Sequence, residues 1–172
     1  YVYKMYLKQG HILNFDAIIF RMDFSNKILP NYDTYPNLII IDNISGKSVT
    51  QGISLNFNSV FQNGLRISLG ATYIDSYIDS KGLKTTPYLT EKFQGVWNIK
   101  YEFQKSNITL DFTGTITGPL KLPLLGDLDP RSQFSPTFNI INLQLTKGWN
   151  NSYELYGGVK NILNFTPADN SI

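Results

Sequence analysis

The stretch VTQGISLNFNSVFQNGLRISLGATYIDSYI, residues 49–78, decides the fold. Apolar and polar side chains alternate in it with a period of two on both sides of Asn63-Gly64, the strongest two-residue signal for a β-hairpin. The stretch therefore predicts two strands, over 49–61 and 65–78, that are joined by a tight turn at 62–64.

The same alternation recurs along the chain and predicts an all-β protein, because helical periodicity is almost absent. Further strands are expected over residues 1–7, 12–28, 93–103, 108–118, 137–147 and 153–163. A weaker extended run, 38–44, is expected to prolong the strand over 49–61. The predicted architecture is an antiparallel up-and-down meander of about eight strands.

The connections between these strands are alternately short and long. Short turns at 9–11, 62–64, 104–107 and 148–151 alternate with long connections of roughly 20, 12 and 18 residues. All short turns therefore fall at one end of the sheet. Outer-membrane barrels show this arrangement, with short turns on the periplasmic side and long loops outside, so the spacing favours a transmembrane β-barrel segment.

Composition excludes several classes of function. Among 172 residues, 16% are charged, with 15 Lys and Arg against 13 Asp and Glu and no basic run, so nucleic-acid binding is not indicated. The absence of cysteine excludes disulfides, thiolate zinc sites and thiol nucleophiles. The longest aliphatic runs, 17–20 and 38–41, are far shorter than the roughly 18 residues of a membrane-spanning helix.

The alternation divides the predicted sheet into two faces. The apolar face carries no charge and consists of Ile53, Leu55, Phe57, Leu65, Ile67, Leu69, Ala71, Trp97, Ile99, Tyr101, Phe103, Ile108, Leu110, Phe112, Ile116, Leu155, Gly157 and Val159. The polar face carries six charges and consists of Ser54, Asn56, Asn58, Arg66, Ser68, Thr72, Gln94, Asn98, Lys100, Glu102, Thr109, Asp111, Thr113, Thr115, Thr117, Glu154, Tyr156 and Lys160. A Lys or Arg on the lipid side at the bilayer midplane costs roughly 2–4 kcal/mol, so the apolar face is expected to face lipid and the polar face an aqueous interior.

Aromatic residues are concentrated at the strand ends, which predicts two girdles around an aliphatic band. Those near the short turns are Phe61, Tyr101, Phe103, Trp149 and Tyr153. Those near the long loops are Tyr73, Tyr77, Tyr88, Phe93, Phe134 and Phe138. The strand over 12–28 fits less well, because Asp16, Arg21 and Asp23 do not all fall on one face.

Several motifs carry a family resemblance. They are FRMDFSN (20–26), DNISGKS (42–48) leading into GISLN (52–56), YEF (101–103), and above all QFSPTF (133–138) running through LTKGW (145–149) to YGGVKNILN (156–164). With these motifs the chain resembles the C-terminal part of the barrel of a TonB-dependent outer-membrane receptor, of the type common in Bacteroidetes. The last motif looks like the penultimate strand of that family, with Ile162 and Leu163 in place of the usual Leu-Phe.

The resemblance implies a transport function for the parent protein. Such receptors are plugged barrels of about 22 strands, and they import iron–siderophore complexes, cobalamin or similar scarce nutrients with energy delivered through TonB. Residues 1–172 would form a partial C-terminal barrel domain, with the plug domain and the final strand absent. The implied partners are outer-membrane lipid, the plug, TonB and a small-molecule nutrient, and the implied location is the bacterial outer membrane. Neither enzymatic activity nor a cofactor is expected.

Ligand contacts are expected on the long loops, because binding residues concentrate on loops that a rigid scaffold holds. The candidates are Tyr32, Tyr35, Tyr88, Arg131 and Phe134.

Other candidate sites are weaker. His11 is the one histidine and is expected to be a solvated turn residue. The segment 46–48 lacks the leading glycine of a phosphate-binding loop and precedes a strand. Asp127 and Asp129 are only two ligand residues, whereas calcium requires six or more ligands.

Three alternatives remain open on the residues alone. A small eight-stranded outer-membrane barrel with a structural or adhesive role would have the same number of strands. A soluble lipocalin-like barrel would turn the apolar face inward around a small ligand. An outer-membrane hydrolase is the enzymatic alternative, which the absence of a strand histidine near a serine makes weak.

Overall fold

A computed structural model describes residues 2–6, 11–35, 38–124, 129–149 and 152–167, which form strands and loops. The strands are β1 (Val2–Tyr6), β2 (Ile12–Phe24), β3 (Ile28–Tyr35), β4 (Leu38–Asn43), β5 (Lys47–Val60), β6 (Leu65–Ser80), β7 (Leu83–Thr85), β8 (Phe93–Phe103), β9 (Ile108–Thr117), β10 (Phe138–Trp149) and β11 (Tyr153–Val159). These ranges contain no helix of the length and apolarity needed to cross a membrane.

Eight of the strands form one antiparallel sheet in the order β1-β2-β5-β6-β8-β9-β10-β11. β3 and β4 form a separate two-stranded sheet, and β7 pairs with the end of β6. The predicted all-β meander is confirmed. Because β1 and β11 are not paired with each other in the described part of the chain, the sheet is open, and the closed eight-stranded alternative is wrong.

Two expectations are wrong in the long connection between β2 and β5. The strand predicted over 12–28 ends at Phe24, and Ile28 already begins β3. The run over 38–44 does not prolong the strand over 49–61 but pairs back on β3 as β4. The connection therefore carries its own hairpin.

Residues with positive φ angles explain the extra turns. Gly46 has a φ of 143°, and a Cβ there would lie 2.2 Å from the carbonyl oxygen of Asp79, so the chain turns at this glycine instead of running straight from β4 into β5. β7, which the alternation did not predict, is joined to β6 by Lys81 and Gly82, both with positive φ. Such a pair is typical of a two-residue hairpin turn.

The strand register confirms the two predicted faces, since directly paired residues in antiparallel strands point to the same side. Phe57, Leu69 and Trp97 lie in one row on the apolar face. Ser68 and Asn98 are paired on the polar face. The same parity continues through β9, β10 and β11.

The side chains of β2 follow the alternation between the two faces. Its charged residues seemed not to fit because they lie at different heights along the strand. Asp16 lies on the polar face, where it accepts a hydrogen bond from Asn56 Nδ2 at 2.8 Å. Ile19 lies on the apolar face. Arg21 and Asp23 follow on that same side, nearer to the long loops, beyond the row of Ile53 and Tyr73. The charges of β2 thus lie either on the polar face, as Asp16 does, or nearer to the long loops than the aliphatic band, as Arg21 and Asp23 do.

The sheet has little enclosed core. In the described ranges the buried apolar side chains are Val49, Leu120 and Leu122, and the last two belong to a long loop. Apolar side chains of the sheet are open to the surroundings, with Leu69 44% exposed and Ile19 83% exposed. A single layer with an open apolar face contradicts the soluble lipocalin-like alternative, in which that face would line an enclosed interior.

Candidate functional site

The three long loops meet at one tyrosine. The first loop (25–46) carries β3 and β4, the second is 81–92, and the third is 118–137. Tyr32 of the first loop packs edge to face against Tyr88 of the second, with ring centroids 5.3 Å apart. Lys121 of the third places its Nζ 4.3 Å from the Tyr88 ring centroid, a cation–π distance. We call Tyr32, Tyr88 and Lys121 the Tyr88 junction.

Backbone hydrogen bonds stiffen this junction. Leu89 N donates to the carbonyl oxygen of Lys121 at 2.9 Å, which ties the second loop to the third. Within the third loop, Ser135 N donates to Leu120 O at 2.9 Å, and Leu120 N donates to Ser135 Oγ at 3.0 Å. Ser135 is 3% exposed. Loops that are ordered before a ligand arrives lose less conformational entropy on binding.

A cavity of about 640 Å³ lies beside the junction. Its wall includes Leu29 and Ile78 as apolar groups, together with Lys27, Tyr88 and Lys121. Because Ile78 has the parity of the polar face, this part of the wall belongs to the inner side of the sheet. The volume is in the range of small-molecule sites, and the lining suits a ligand with both apolar and anionic parts.

The structure brings together only some of the predicted ligand contacts. Tyr32 and Tyr88 are in direct contact. Phe134 is 37% exposed and forms a β-bridge with Lys121, so its backbone lies next to the junction. Tyr35 stands apart at the end of β3, where it is paired with Leu38 and is 54% exposed.

Arg131 shapes the third loop. Its Nε and Nη2 donate to the carboxylate of Asp129, at 2.9 Å and 2.6 Å for the closest oxygens, and Nη2 also donates to the carbonyl oxygen of Pro123 at 3.1 Å. The carboxylate of Asp129 thus forms an ion pair with Arg131 within the loop. Asp127 lies outside the described residues. No group of three or more metal-ligating side chains occurs in the part of the chain that the structure describes.

The sheet topology, the segregated faces and the loops gathered at one end agree with one family. A family model described as "TonB dependent receptor-like, beta-barrel" matches residues 3–162. The chain belongs to this family. TonB-dependent receptors are outer-membrane receptors and transporters, and theirs is not a family of enzymes.

A solved structure supports the same fold. The siderophore receptor PiuA from Acinetobacter baumannii is similar to this receptor barrel, with a TM-score of 0.67 and 18% sequence identity. The match covers 94% of this chain and 23% of that receptor, so the chain spans about a quarter of the length of the protein that it matches. No curated protein matches the chain.

In a receptor barrel the polar face lines the aqueous interior. Glu102 Oε1 lies 3.5 Å from both Arg66 Nη2 and Lys100 Nζ, and Lys100 is paired in register with Asp111. These side chains are partly exposed, so each ion pair contributes about 1 kcal/mol or less to stability. They form a hydrated wall with balanced charge.

Aromatic side chains mark both ends of the apolar face of the receptor barrel. At the short-turn end they are Tyr101, Phe103, Trp149 and Tyr153. At the long-loop end, Tyr73 is paired with Phe93. Phe138 departs from the predicted girdle, because it pairs with Thr117 on the polar face and stacks on Phe165 with centroids 4.7 Å apart.

Two lysines have positions that the sequence patterns did not indicate. The position of Lys121 over the Tyr88 ring depends on contacts between separate loops, so no local sequence pattern predicts it. Lys147 has the parity of the apolar face, where it pairs with Ile108. Its ammonium donates to the carbonyl oxygen of Ser106 in the neighbouring short turn, so the charge reaches the end of the sheet while the stem covers apolar surface. The sequence did contain a signal for this position, because Lys147 is two residues from Leu145 and therefore lies on the same face.

His11 is also placed differently from the prediction. It was expected to be a solvated turn residue, but it is partly buried and packs edge to face against Phe61 with ring centroids 5.3 Å apart. A packing role therefore replaces the expected solvated one.

Proposed function

We propose that this chain forms part of the wall of an outer-membrane receptor for TonB-dependent uptake of a scarce small-molecule nutrient. The observation that carries the proposal is the charge-free apolar face between the rows of Tyr73 and Phe103 in β5, β6, β8 and β9. This face stands against lipid, and the polar face lines the interior. The role of the chain is structural and ligand-binding, not catalytic.

The height of the aliphatic band supports this orientation. On β8 the band extends from Phe93 to Phe103. Ten residue steps correspond to roughly 34 Å along a strand. A strand tilt of about 40° projects this length to about 26 Å along the membrane normal, close to the roughly 25 Å of the apolar band in outer-membrane barrels.

The open sheet requires further strands from the parent protein. Backbone groups left unpaired in the hydrocarbon region cost several kcal/mol each, so β1 and β11 need neighbours. We propose that residues 1–172 belong to the C-terminal part of the barrel, and that the plug, the contact with TonB and the final strand come from the rest of the parent protein. The complete reading frame tests this assignment.

The long loops are the proposed place of ligand capture, with Tyr32, Tyr35, Tyr88, Arg131 and Phe134 as contacts. The cavity beside the Tyr88 junction supports this role, and Lys121 is added to the set because it lies over the Tyr88 ring. PiuA is described as a siderophore receptor. An iron–siderophore complex is therefore the first substrate to test for the parent protein, and cobalamin is the second.

Uptake of labelled nutrient by whole cells tests the transport function. Deleting the gene of the full-length receptor should abolish uptake of one of the two nutrients, and a strain that lacks TonB should lose the same uptake. Uptake that survives both deletions would refute the transport function.

The ligand site is tested in the full-length receptor with Tyr88→Ala. Loss of the ring and of its contacts with Tyr32 and Lys121 should weaken binding of the transported nutrient roughly 5- to 30-fold, as expected for an aromatic side chain at the centre of a site. Tyr153→Ala is the control, because Tyr153 lies at the opposite end of the sheet. The affinities are measured by titration of the purified receptor. Equal affinity of both variants would refute the proposal that the long loops bind the nutrient.

A further inference from the structure

An apolar stripe runs along β2 on the side of the polar face. Its members, which we call the β2 stripe, are Ile18, Phe20, Met22 and Phe24, and their pairing with β5 places all four on that side. Ile18 is 52% exposed and Phe24 is 42% exposed. The six residue steps between them correspond to about 20 Å of strand. A row of large apolar side chains that is open on an aqueous side indicates a binding surface.

The centre of β2 is apolar on both of its sides. Ala17 and Ile19 point to the apolar face, whereas Ile18 and Phe20 point to the polar face. Strands that are covered by apolar material on both sides have such continuous apolar runs. Lipid covers only one side of β2 in the proposed barrel. The other side therefore needs apolar contacts with something inside the barrel.

The β2 stripe is continuous with the cavity beside the Tyr88 junction. Phe24 is paired with Ser48, and Ser48 is paired with Ile78, which lines that cavity. Lys27 also lines the cavity, and its Nζ lies 5.4 Å from the centroid of the Phe24 ring. The stripe thus begins at the cavity and leads along the inner side of the sheet toward the short turns.

The wall beside the stripe is uncharged, and its hydroxyl groups are paired with one another. The inner positions of β2, β5 and β6 between the rows of Phe24 and Ile18 contain no charged residue. Thr50 Oγ1 and Ser76 Oγ lie 3.0 Å apart and form a hydrogen bond across the strands. Ser54 Oγ and Thr72 Oγ1 do the same at 3.0 Å. This part of the wall therefore offers apolar contacts without a strong polar or ionic partner.

We propose that the β2 stripe is a path along which the transported nutrient moves from the loop cavity into the barrel. This inference rests on the proposed transport function. A series of similar, uncharged contacts suits a path, because each site must bind well enough for entry and weakly enough for release. The nutrient that fits this path is amphipathic and has an apolar face, which the side chains of the stripe remove from water.

The plug of the parent protein is the other candidate occupant of the stripe. The continuity with the cavity favours the nutrient, because a seat for the plug has no need to begin at a ligand site. The two occupants also predict different effects of shortening the side chains. Loss of a path slows uptake, whereas loss of a seal around the plug lets other solutes leak through the barrel.

The path is tested in the full-length receptor by measuring uptake and binding separately. The probe is whichever of radiolabelled ferric enterobactin, ferrichrome and cyanocobalamin the natural receptor imports. Ile18→Ser and Met22→Ser should each lower the rate of uptake roughly 5-fold, because each removes an apolar contact along the path. The affinity of the purified receptors for the same probe should change by less than about 2-fold, because the long loops set it.

Three controls separate the path from general effects on the barrel. Ile140→Ser makes the same replacement on the polar face of β10, at a side chain that is 37% exposed, and should leave uptake unchanged. Met22→Leu keeps an apolar side chain of similar size and should retain uptake. The shift in electrophoretic mobility on heating reports whether each variant is a folded barrel.

Several outcomes would overturn the inference. Folded Ser variants of Ile18 and Met22 that import the probe at the natural rate would do so, as would an equal loss of uptake in Ile140→Ser. A parallel loss of affinity would place the stripe within the initial binding site instead of on a path. Sensitivity of the cells to vancomycin, caused by the Ser variants, would identify the stripe as a seat for the plug. In each case TonB-dependent uptake by the natural receptor is unaffected, so failure of the path is distinguishable from failure of the transport function.

Discussion

The contact between Trp97 and Gly114 shows how one residue fits the apolar face. The two are paired in register, and a Cβ added to Gly114 would lie 2.2 Å from Cζ2 of the Trp97 ring. The indole therefore covers a glycine in the neighbouring strand, an arrangement that helps to fix the strand register. Any side chain at Gly114 must displace the ring.

We therefore expect Gly114→Ala to destabilise the full-length barrel by about 1–3 kcal/mol, because the displaced Trp97 ring loses its packing. The measurement is the urea midpoint of unfolding in detergent micelles. Gly148→Ala is the matched control in the adjoining strand, since a Cβ at Gly148 meets its nearest neighbours at 3.9 and 4.0 Å, which are ordinary contacts. A Gly114→Ala midpoint that equals that of Gly148→Ala would contradict the packing argument.

For single residues, the alternation of side chains correctly predicts the face of the sheet on which each side chain lies. The positions of Leu69 and Ser68 on opposite faces follow from the period of two, and the register agrees. The cover of Gly114 by Trp97 could not be predicted in the same way, because it depends on the pairing of two strands and on a side-chain rotamer. The height of Arg21 relative to the aliphatic band could not be predicted either, because it depends on the register with the neighbouring strands.

Among the elements, the hairpin between β5 and β6 has a contact outside its own two strands. Gly64 has a φ of 88°, and its carbonyl oxygen accepts a hydrogen bond from Glu102 N in β8 at 3.0 Å. A Cβ at Gly64 would lie 2.4 Å from the Glu102 carbonyl oxygen. The turn that decides the fold therefore also docks on the next strand.

The turns at Gly64 and Gly82 allow a paired test of this docking. Both glycines have similar positive φ angles, of 88° and 86°, but an added Cβ at Gly82 meets nothing within 4 Å. Gly82→Ala should show the backbone cost alone, about 1 kcal/mol. Gly64→Ala should cost roughly 1–3 kcal/mol more, because Glu102 must move. Equal urea midpoints for the two variants would show that the close approach carries no energy.

The long loops show where prediction from sequence ends at the scale of elements. Hairpins depend on neighbouring residues, so Asn63-Gly64 could be recognised from the sequence, and Lys81-Gly82 offered a similar local signal. The Tyr88 junction joins side chains from three loops that are far apart in the chain. Aromatic residues in the loops indicated Tyr32 and Tyr88 as candidates, but only the folded sheet brings them together with Lys121.

For the whole molecule, the deciding property is which face meets lipid. The alternation predicted two faces, and the charges counted on each face indicated which one avoids charge. A single layer has no enclosed core to hold it together, so the parent barrel depends on lipid for burial of its apolar face. The charges on the side of the apolar face lie at or beyond the limits of the band. Arg21 lies at the long-loop end, and the ammonium of Lys147 lies at the short-turn end.

Paired arginine substitutions test this orientation in the full-length receptor. Leu69 and Ser68 are neighbours at mid-height of the band, but they point to opposite faces. Leu69→Arg should cost roughly 2–4 kcal/mol on the lipid side near the bilayer midplane, and the amount of heat-modifiable barrel in the outer membrane should fall. Ser68→Arg places the same charge at the same depth on the aqueous side, so assembly should remain near normal. If instead Ser68→Arg prevents assembly and Leu69→Arg is tolerated, the apolar face must point away from lipid, and the proposed lipid-facing wall is wrong.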